Sequence, residues 1–392
     1  MSDGRVVLTT DRAVARLLRV KGSWQLRRFA AAVTALVLVG ACAGQTATTS
    51  PCSGARTATS VADCGGINGL FAAAKAEGRL NLIALPPDWV NYGAMIEAFK
   101  AKYPGIKINS INPNAISQEE IDAINAKGPG APDVVDLRQQ VALANASLFA
   151  PYKVATWNDI PAALKSPTGA WFSSYGGYMG VGYDSAKVPG GAIKSMADLL
   201  GPGFRGKVTL AGDPTRSNQA LNGLIMASVA NGETRIDDVS KGVDFFHSLK
   251  VAGNFVAGTG TPASVKSGQT IVLFEWDYVS ANHVRDVSGW RIFVPSNAII
   301  GGYFTQAINS AAPHPAAARL WEEFLFSDAG QNLWLKGGVH PVRQAALEKS
   351  GQIDAFALAA LPQVTGKVLF PSAEQQATAT AYLATKWPQA IG

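Results

Sequence analysis

Leu80-Asn-Leu-Ile-Ala-Leu85 is an apolar run of strand length, and Tyr92, Met95, Ile96, Phe99 and Tyr103 follow it at helical spacing until Pro104-Gly105 stops the pattern. Ile106 to Ile111 then alternates as a second strand, Ser117-Gln-Glu-Glu120 reads as a capping box that opens a helix, and Asp133 to Leu137 is a third apolar run. Upstream, Ile67, Leu70, Phe71 and Ala74 share one helical face that ends at Gly78. Strand, helix, strand, helix, strand in this order implies a parallel sheet with helices on both faces.

The pattern returns further along. Lys207 to Ala211 reads as a strand, Leu221, Leu224, Ile225 and Ser228 mark a helix, Ile236 to Leu249 a second helix, and Ile271-Val-Leu-Phe-Glu-Trp276 a buried strand. Arg291 to Val294 is a short strand, and the tail carries helices over 314–325, 328–336 and 373–386. Two glycine-marked strands separate the blocks, Gly176-Gly-Tyr-Met-Gly-Val-Gly-Tyr183 and Gly301-Gly-Tyr-Phe-Thr-Gln-Ala-Ile308. A chain that leaves one lobe and returns crosses the gap twice, and glycines at the crossings allow large dihedral changes. The same glycines also suit ordinary strands packed closely together. The expected fold is α/β with two lobes, residues 67–178 and 304–392 forming the first and 179–303 the second.

The amino-terminal region has a different character. Arg27-Arg28, the apolar run Phe29 to Val39 and then Gly40-Ala41 make a secretory signal, too short for a bilayer-spanning helix of about 20 residues. Cys42, directly after Val-Gly-Ala, resembles the lipid-attachment site of bacterial lipoproteins, so the leader is expected to end at residue 41. Residues 42–66, rich in Thr, Ser, Ala and Gly, read as a tether. Removing the leader removes +5 of the formal +6 charge, so the remaining chain carries no nucleic-acid footprint. With Cys42 lipidated, Cys52 and Cys64 remain as an even pair in an oxidising compartment, and a disulfide between them is expected.

Several chemistries find no support. The four histidines, His247, His283, His314 and His340, show no metal-ligand spacing, and no cysteine lies beyond residue 64. No GxSxG elbow occurs. Gly201-Pro-Gly-Phe-Arg-Gly206-Lys207-Val208 nearly matches a phosphate-binding loop, but it ends in Val and precedes a strand where a helix is needed. Neither a cofactor nor a metal is expected, and an enzyme, for example a secreted hydrolase, ranks below a binding protein.

Ligands of open α/β sheets bind beyond the carboxyl ends of the strands. Asp88, Trp89 and Tyr92 follow the first strand, and Asp136 ends the third. Asp213, Thr215 and Arg216 follow the Lys207 strand, Glu275, Trp276 and Asp277 end the Ile271 strand, and Tyr175 and Tyr303 flank the crossings. Carboxylates pair with cations and aromatic faces attract ammonium groups, which points to a small cationic or amine-bearing solute. Each residue also has a plainer reading: Asp213 before Pro214 is a helix-cap pattern, Trp276 ends an apolar run, and Arg216 is a solvated charge or an anion contact.

Phe204-Arg-Gly-Lys-Val208 leading into Asp213-Pro214, Tyr175 through Gly-Val-Gly-Tyr-Asp184, and above all His314-Pro-Ala-Ala-Ala-Arg-Leu-Trp-Glu-Glu-Phe-Leu-Phe-Ser-Asp-Ala-Gly-Gln331 carry a family resemblance. From Ile67 to the C-terminus the chain resembles the solute-binding proteins of ABC importers, in the group of polyamine, thiamine, phosphonate and ferric-ion binders. The resemblance implies a type II periplasmic-binding-protein fold, lobes that close on ligand, a membrane permease as partner, and a monomer held outside the cytoplasm by a lipid on Cys42. Polyamine binding is the first expectation, although Trp276 and Asp277 are adjacent where that group uses a Trp-x-Asp-like arrangement. Ferric binders use adjacent tyrosines, and Tyr303-Phe304 lacks the second. Thiamine, phosphonate and sugar remain alternatives.

Overall fold

In a computed structural model of the chain, Cys52 and residues 54–362 and 364–392 are described. The leader, Cys42 and the tether as far as residue 51 lie outside the described residues. The described part is organised around two long strands that pair with each other.

Among the described residues, twelve strands run in chain order: β1 (Arg79–Ile83), β2 (Lys107–Ile111), β3 (Val134–Arg138), β4 (Phe149–Ala150), β5 (Phe172–Asp184), β6 (Val208–Leu210), β7 (Phe255–Thr259), β8 (Val272–Trp276), β9 (Trp290–Phe293), β10 (Ile299–Asn309), β11 (His340–Pro341) and β12 (Val368–Leu369). Strands β5 and β10 are antiparallel, with Gly302 opposite Gly177 and Tyr303 opposite Gly176. Each serves two neighbourhoods. The first half of β5 pairs with β11 and its second half with β8 and β9. The end of β10 pairs antiparallel with β3, and β1 pairs parallel with β2. Across the crossing, β6 is parallel to both β7 and β8. The parallel βα units of the sequence are therefore present on each side, but the crossing strands join them through antiparallel pairing. These are the two lobes of the expected α/β fold.

The helices cover these sheets. On the first side are α1 (Ile67–Glu77), α2 (Tyr92–Lys102), α3 (Ser117–Ala126) and α4 (Gln139–Ala144). On the second are α5 (Asn218–Ala230), α6 (Ser240–Val251), α7 (Pro262–Lys266) and α8 (Asp277–Ser280). The tail adds α9 (Pro315–Leu325), α10 (Asp328–Lys336), α11 (Gln344–Ser350), α12 (Ala355–Ala359) and α13 (Ala373–Ile391). Helix α9 carries the most specific family motif and is buried along almost its whole length, with Trp321 and Phe324 against Phe99 of α2.

Four expectations change. The crossing glycines do not need unusual dihedrals: none of Gly176, Gly177, Gly301 or Gly302 has a left-handed φ. They are small because side chains lie on them. A Cβ on Gly177 would sit 2.0 Å from Asp277 Oδ1, and one on Gly302 would sit 2.4 Å from the Trp276 indole. In this arrangement close packing accounts for their size.

Second, order begins before residue 67. Ala55 and Ala58 are buried, Arg319 donates to the carbonyls of Arg56 and Ala58, and Cys52 is joined to Cys64. Third, α13, expected with the first lobe, packs on α5 and α6, with Trp387 against Phe246 and Phe255. The tail therefore makes a third passage between the lobes, through β12 paired with β10.

Fourth, α3 does not use Ser117 as its cap. The helix starts at Ser117, and Glu119 accepts from the N–H of Ile116. This one-residue shift frees Glu120, which is buried and accepts from the N–H of Asp136 through Oε2 at 2.8 Å. Among the described residues, no helix is long and apolar enough to cross a membrane.

Candidate functional site

The carboxyl ends of β3 and β8 and the loop after β1 converge on a cleft between the two sheets, with a cavity of about 170 Å³. Trp89, Arg138, Gln139 and Gln140 line it from the first side. Asn218, Gln219 and Asn222 of α5, with Trp276 and Tyr278, line it from the second, and Gly302, Tyr303 and Phe304 of β10 run along its base.

Aromatic rings set the shape of this cleft. The missing side chain of Gly302 lets the Trp276 indole lie on β10. Trp276 and Tyr278 are near-parallel, with ring centroids 6.3 Å apart and planes 9° apart. Trp89 meets Tyr278 and Phe304 edge-on at 6.1 and 6.2 Å, so an aromatic contact already spans the gap between lobes. Gln376 of α13 spans it again, its Oε1 accepting from Gln140 Nε2 at 2.9 Å and from Asn218 Nδ2. The loop that carries Trp89 is strained. Ala84, Val90 and Asn91 have φ of 59°, 40° and 70°, and a β-branched Val is rare there.

Arg138 is the one charged side chain among the described lining residues, and its guanidinium has no ion pair among them. Side-chain amides and rings supply the rest of the wall. Among the described residues, no carboxylate lines this cavity.

The acids sit behind it. Asp136 Oδ2 accepts from the hydroxyls of Tyr175 (2.7 Å) and Tyr92 (2.9 Å), and its Oδ1 from Gln306 Nε2 (2.9 Å). Burial pushes Asp136 up to about 7, even though the two tyrosine hydrogen bonds pull the other way. Glu120 is held well above the ordinary carboxylate range by burial and by the charge of Asp136. Glu322, fully buried on α9, is raised in the same way by burial and then by Asp136 and Glu323. Trp89 Nε1 donates to the Tyr175 hydroxyl at 3.1 Å and so links cleft and network.

The strand-end candidates separate accordingly. Trp89, Trp276 and Tyr303 reach the cleft. Tyr92 and Tyr175 are buried in the Asp136 network and are not on the cavity wall. Glu275 turns to the other face of β8, where its carboxylate lies against His283 Nε2 at 3.0 and 3.2 Å. Asp277, 1% exposed, accepts from the N–H groups of Tyr178 and Tyr278, and its Oδ2 lies 3.1 Å from His340 Nε2. Burial alone would push His340 down, but the bond and charge of Asp277 outweigh it, and the ring sits above its ordinary value.

Asp213 Oδ1 accepts from the N–H and hydroxyl of Thr215, making a local turn, and Ser217 rather than Asp213 caps α5. Asp213, Thr215, Arg216 and Asp88 are absent from the cavity lining. Arg138, Gln139, Gln140 and Tyr278 were readable as the residues just beyond Asp136 and Asp277. Asn218 and Asn222 share a face at the start of α5. Gln376 had no local signal, because only the passage of α13 to the second lobe brings it here. Among the described residues, no three His, Cys, Asp or Glu side chains gather in a metal-holding group.

Residues 129–356 match the family described as bacterial extracellular solute-binding protein. The chain belongs to this family. Its members are the extracellular solute-binding proteins of ABC transporters. Iron uptake protein A1 of Synechocystis is 24% identical over 242 residues, a match covering 58% of this chain and 66% of that protein's length. Among solved structures, an ABC transporter substrate-binding protein from Bradyrhizobium japonicum superposes with a TM-score of 0.62 at 16% identity, covering 80% of this solute-binding chain and 100% of the other. Trichodesmium FutA, solved with iron and citrate, gives 0.57 at 19% identity over 80% and 99%. These likenesses establish the two-lobe fold of this solute-binding protein.

Proposed function

We propose that this solute-binding protein captures a small organic anion between its lobes and presents it to an ABC permease. The observation that carries the reading is Arg138, an unpaired cation on a cleft wall otherwise made of amides and rings. A guanidinium offers a planar fork of donors that fits a carboxylate bidentately. The amides of Gln139, Gln140, Asn218 and Gln219 both donate and accept, and Trp276 and Tyr278 offer faces for the carbon skeleton. The expected polyamine finds no carboxylate on the cavity wall, because Asp136, Glu275 and Asp277 are engaged elsewhere. Citrate in the FutA structure is an anion of the proposed class.

Closure follows from differential affinity. A solute that touches Arg138 and α5 together favours the closed arrangement by the contacts it makes only there. The test is a thermal-shift and calorimetric series with citrate, shorter carboxylates, ferric citrate and spermidine. Carboxylate at 100 times its Kd should add about 2.7 kcal/mol of stability, and Arg138→Ala should cut that to between about 0.4 and about 1.4 kcal/mol at the same concentration. Stabilisation by spermidine alone would overturn the reading.

A second reading, direct ferric-ion capture, rests on the phenol of Tyr278 at the cleft and on the names of the relatives. A visible tyrosinate–iron absorption band that Tyr278→Phe removes would favour it over the organic anion.

The anchor belongs to the same proposal. A lipid on Cys42 keeps the receptor near its permease and raises its effective concentration there. Cys42→Ala should release the protein from the membrane fraction, and retention would remove the lipid from the account.

A further inference from the structure

Beside the cleft lies a second chamber of about 510 Å³, within the first lobe. The two chambers share Trp89, Arg138 and Phe304 as common walls. The second opens between the loop after β1, the loop after β2 and the start of α3, and its wall includes Glu120 and Asp136. Glu120 is 1% exposed. Its Oε2 is occupied by the Asp136 N–H, while its Oε1 has no partner among the described residues. Glu120 Oε1 is thus open to the chamber, where a polar group of a ligand can take the place of water.

Asp136 and Arg138 are alternate residues of β3, so they share a face with Cα atoms about 7 Å apart. One small molecule can therefore reach the guanidinium and the acidic chamber together. We propose that the solute is dipolar, its anionic group on Arg138 and an ammonium group in the adjoining chamber against Glu120. This rests on the organic-anion reading and specifies it. The acidic wall keeps an amine-recognising role, but in the side chamber and only for a molecule that also carries an anion.

Asp136 is the charged group that acts on Glu120, Arg138 shares the chamber wall with it, and Tyr92, Tyr175 and Glu322 act one step back, on Asp136. Burial holds Asp136 up to about 7 and Glu120 well above its ordinary value, so this pair favours the protonated form more than free carboxylates do. An arriving ammonium favours the ionised carboxylate, so binding releases a proton to solvent.

The experiment titrates the full chain with ω-amino acids from glycine to 6-aminohexanoate, together with fatty acids and alkylamines of matching length. Calorimetry is run near pH 7 in buffers of different ionisation enthalpy. Some ω-amino acid should bind at least about tenfold more tightly than either singly charged partner, with proton release. Glu120→Gln keeps an acceptor for the Asp136 N–H. It should lower the ω-amino acid to the affinity of the fatty acid, remove the proton release, and leave fatty-acid binding unchanged. Ala115→Trp, which adds a ring to the chamber wall and leaves the Glu120 carboxyl in place, should do the same. Equal binding of amino acid and fatty acid, or indifference to both variants, would overturn the dipolar proposal while leaving the organic-anion reading in place. Failure of every carboxylate, with Arg138→Ala silent, would overturn both.

Discussion

The ends of β3 and β8 place the same kinds of residue in opposite circumstances. On β3, depth separates them: Asp136 is buried against two tyrosines, and Arg138, two residues on, stands open at the cleft. On β8, alternation separates them: Glu275 turns into a buried pair with His283, and its neighbour Trp276 faces the solute space. In both cases the carboxylate is spent on the interior and the cleft receives the cation, the ring and the amides. At these two strand ends the carboxylates are bonded to interior groups and do not line the main cleft. Asp277 makes the point most directly, because its carboxylate lies over Gly177 of the crossing strand and reaches His340 on the far side.

The largest expected effect tests whether Asp277 fastens or binds. Asp277→Ala leaves His340 buried without its partner and should cost about 3–5 kcal/mol in denaturant unfolding. Unchanged stability with lost solute binding would reverse the comparison and return Asp277 to the site. Arg138→Ala is the complement. It should leave stability within about 0.5 kcal/mol and weaken carboxylate binding roughly ten- to hundred-fold, as expected for a lost charged hydrogen bond of about 1.5–3 kcal/mol. Gly177→Ala should destabilise by about 1–3 kcal/mol, since its new methyl meets the Asp277 carboxylate rather than a flexible surface group. A neutral result there would mean that the glycine serves motion after all.

The last effect is a slope rather than a step. Asp136 sits at about 7 when folded against 3.8 ordinarily. Between those values the folded chain holds a proton that the unfolded chain has released, so stability is greatest below the lower value and falls as pH rises towards 7. Glu120 and Glu322 are raised as well and act with the same sign. Asp136→Asn, which can still accept from Tyr92 and Tyr175, should flatten this slope in unfolding curves collected from about pH 4 to pH 7. An unaltered slope would place the proton elsewhere in the network.

Much of the fold was legible because burial imposes periodicity. The helical stripe from Tyr92 to Tyr103 is α2, and the run from Ile271 to Trp276 contains β8. The short strands β7, β11 and β12 escaped because they carry little pattern of their own and exist through their neighbours. At the site, Trp89 and Trp276 were legible as aromatics at strand ends. Glu120 was misread because Ser117-Gln-Glu-Glu120 satisfies a capping rule that Glu119 fulfils one residue earlier.

The sequence by itself determined the α/β blocks, the two crossing strands and the family, since these follow from local spacing of apolar residues and from a motif contiguous in the chain. Only the tertiary structure decided which polar groups line the cleft and which are bonded in the interior. Asp277 finds His340 across 63 positions, and Gln376 reaches Gln140 across 236. Partners so distant leave no trace in local spacing. A carboxylate with such a partner is held by the fold, and a cation without an ion-pair partner, like Arg138, is the group we propose for a ligand.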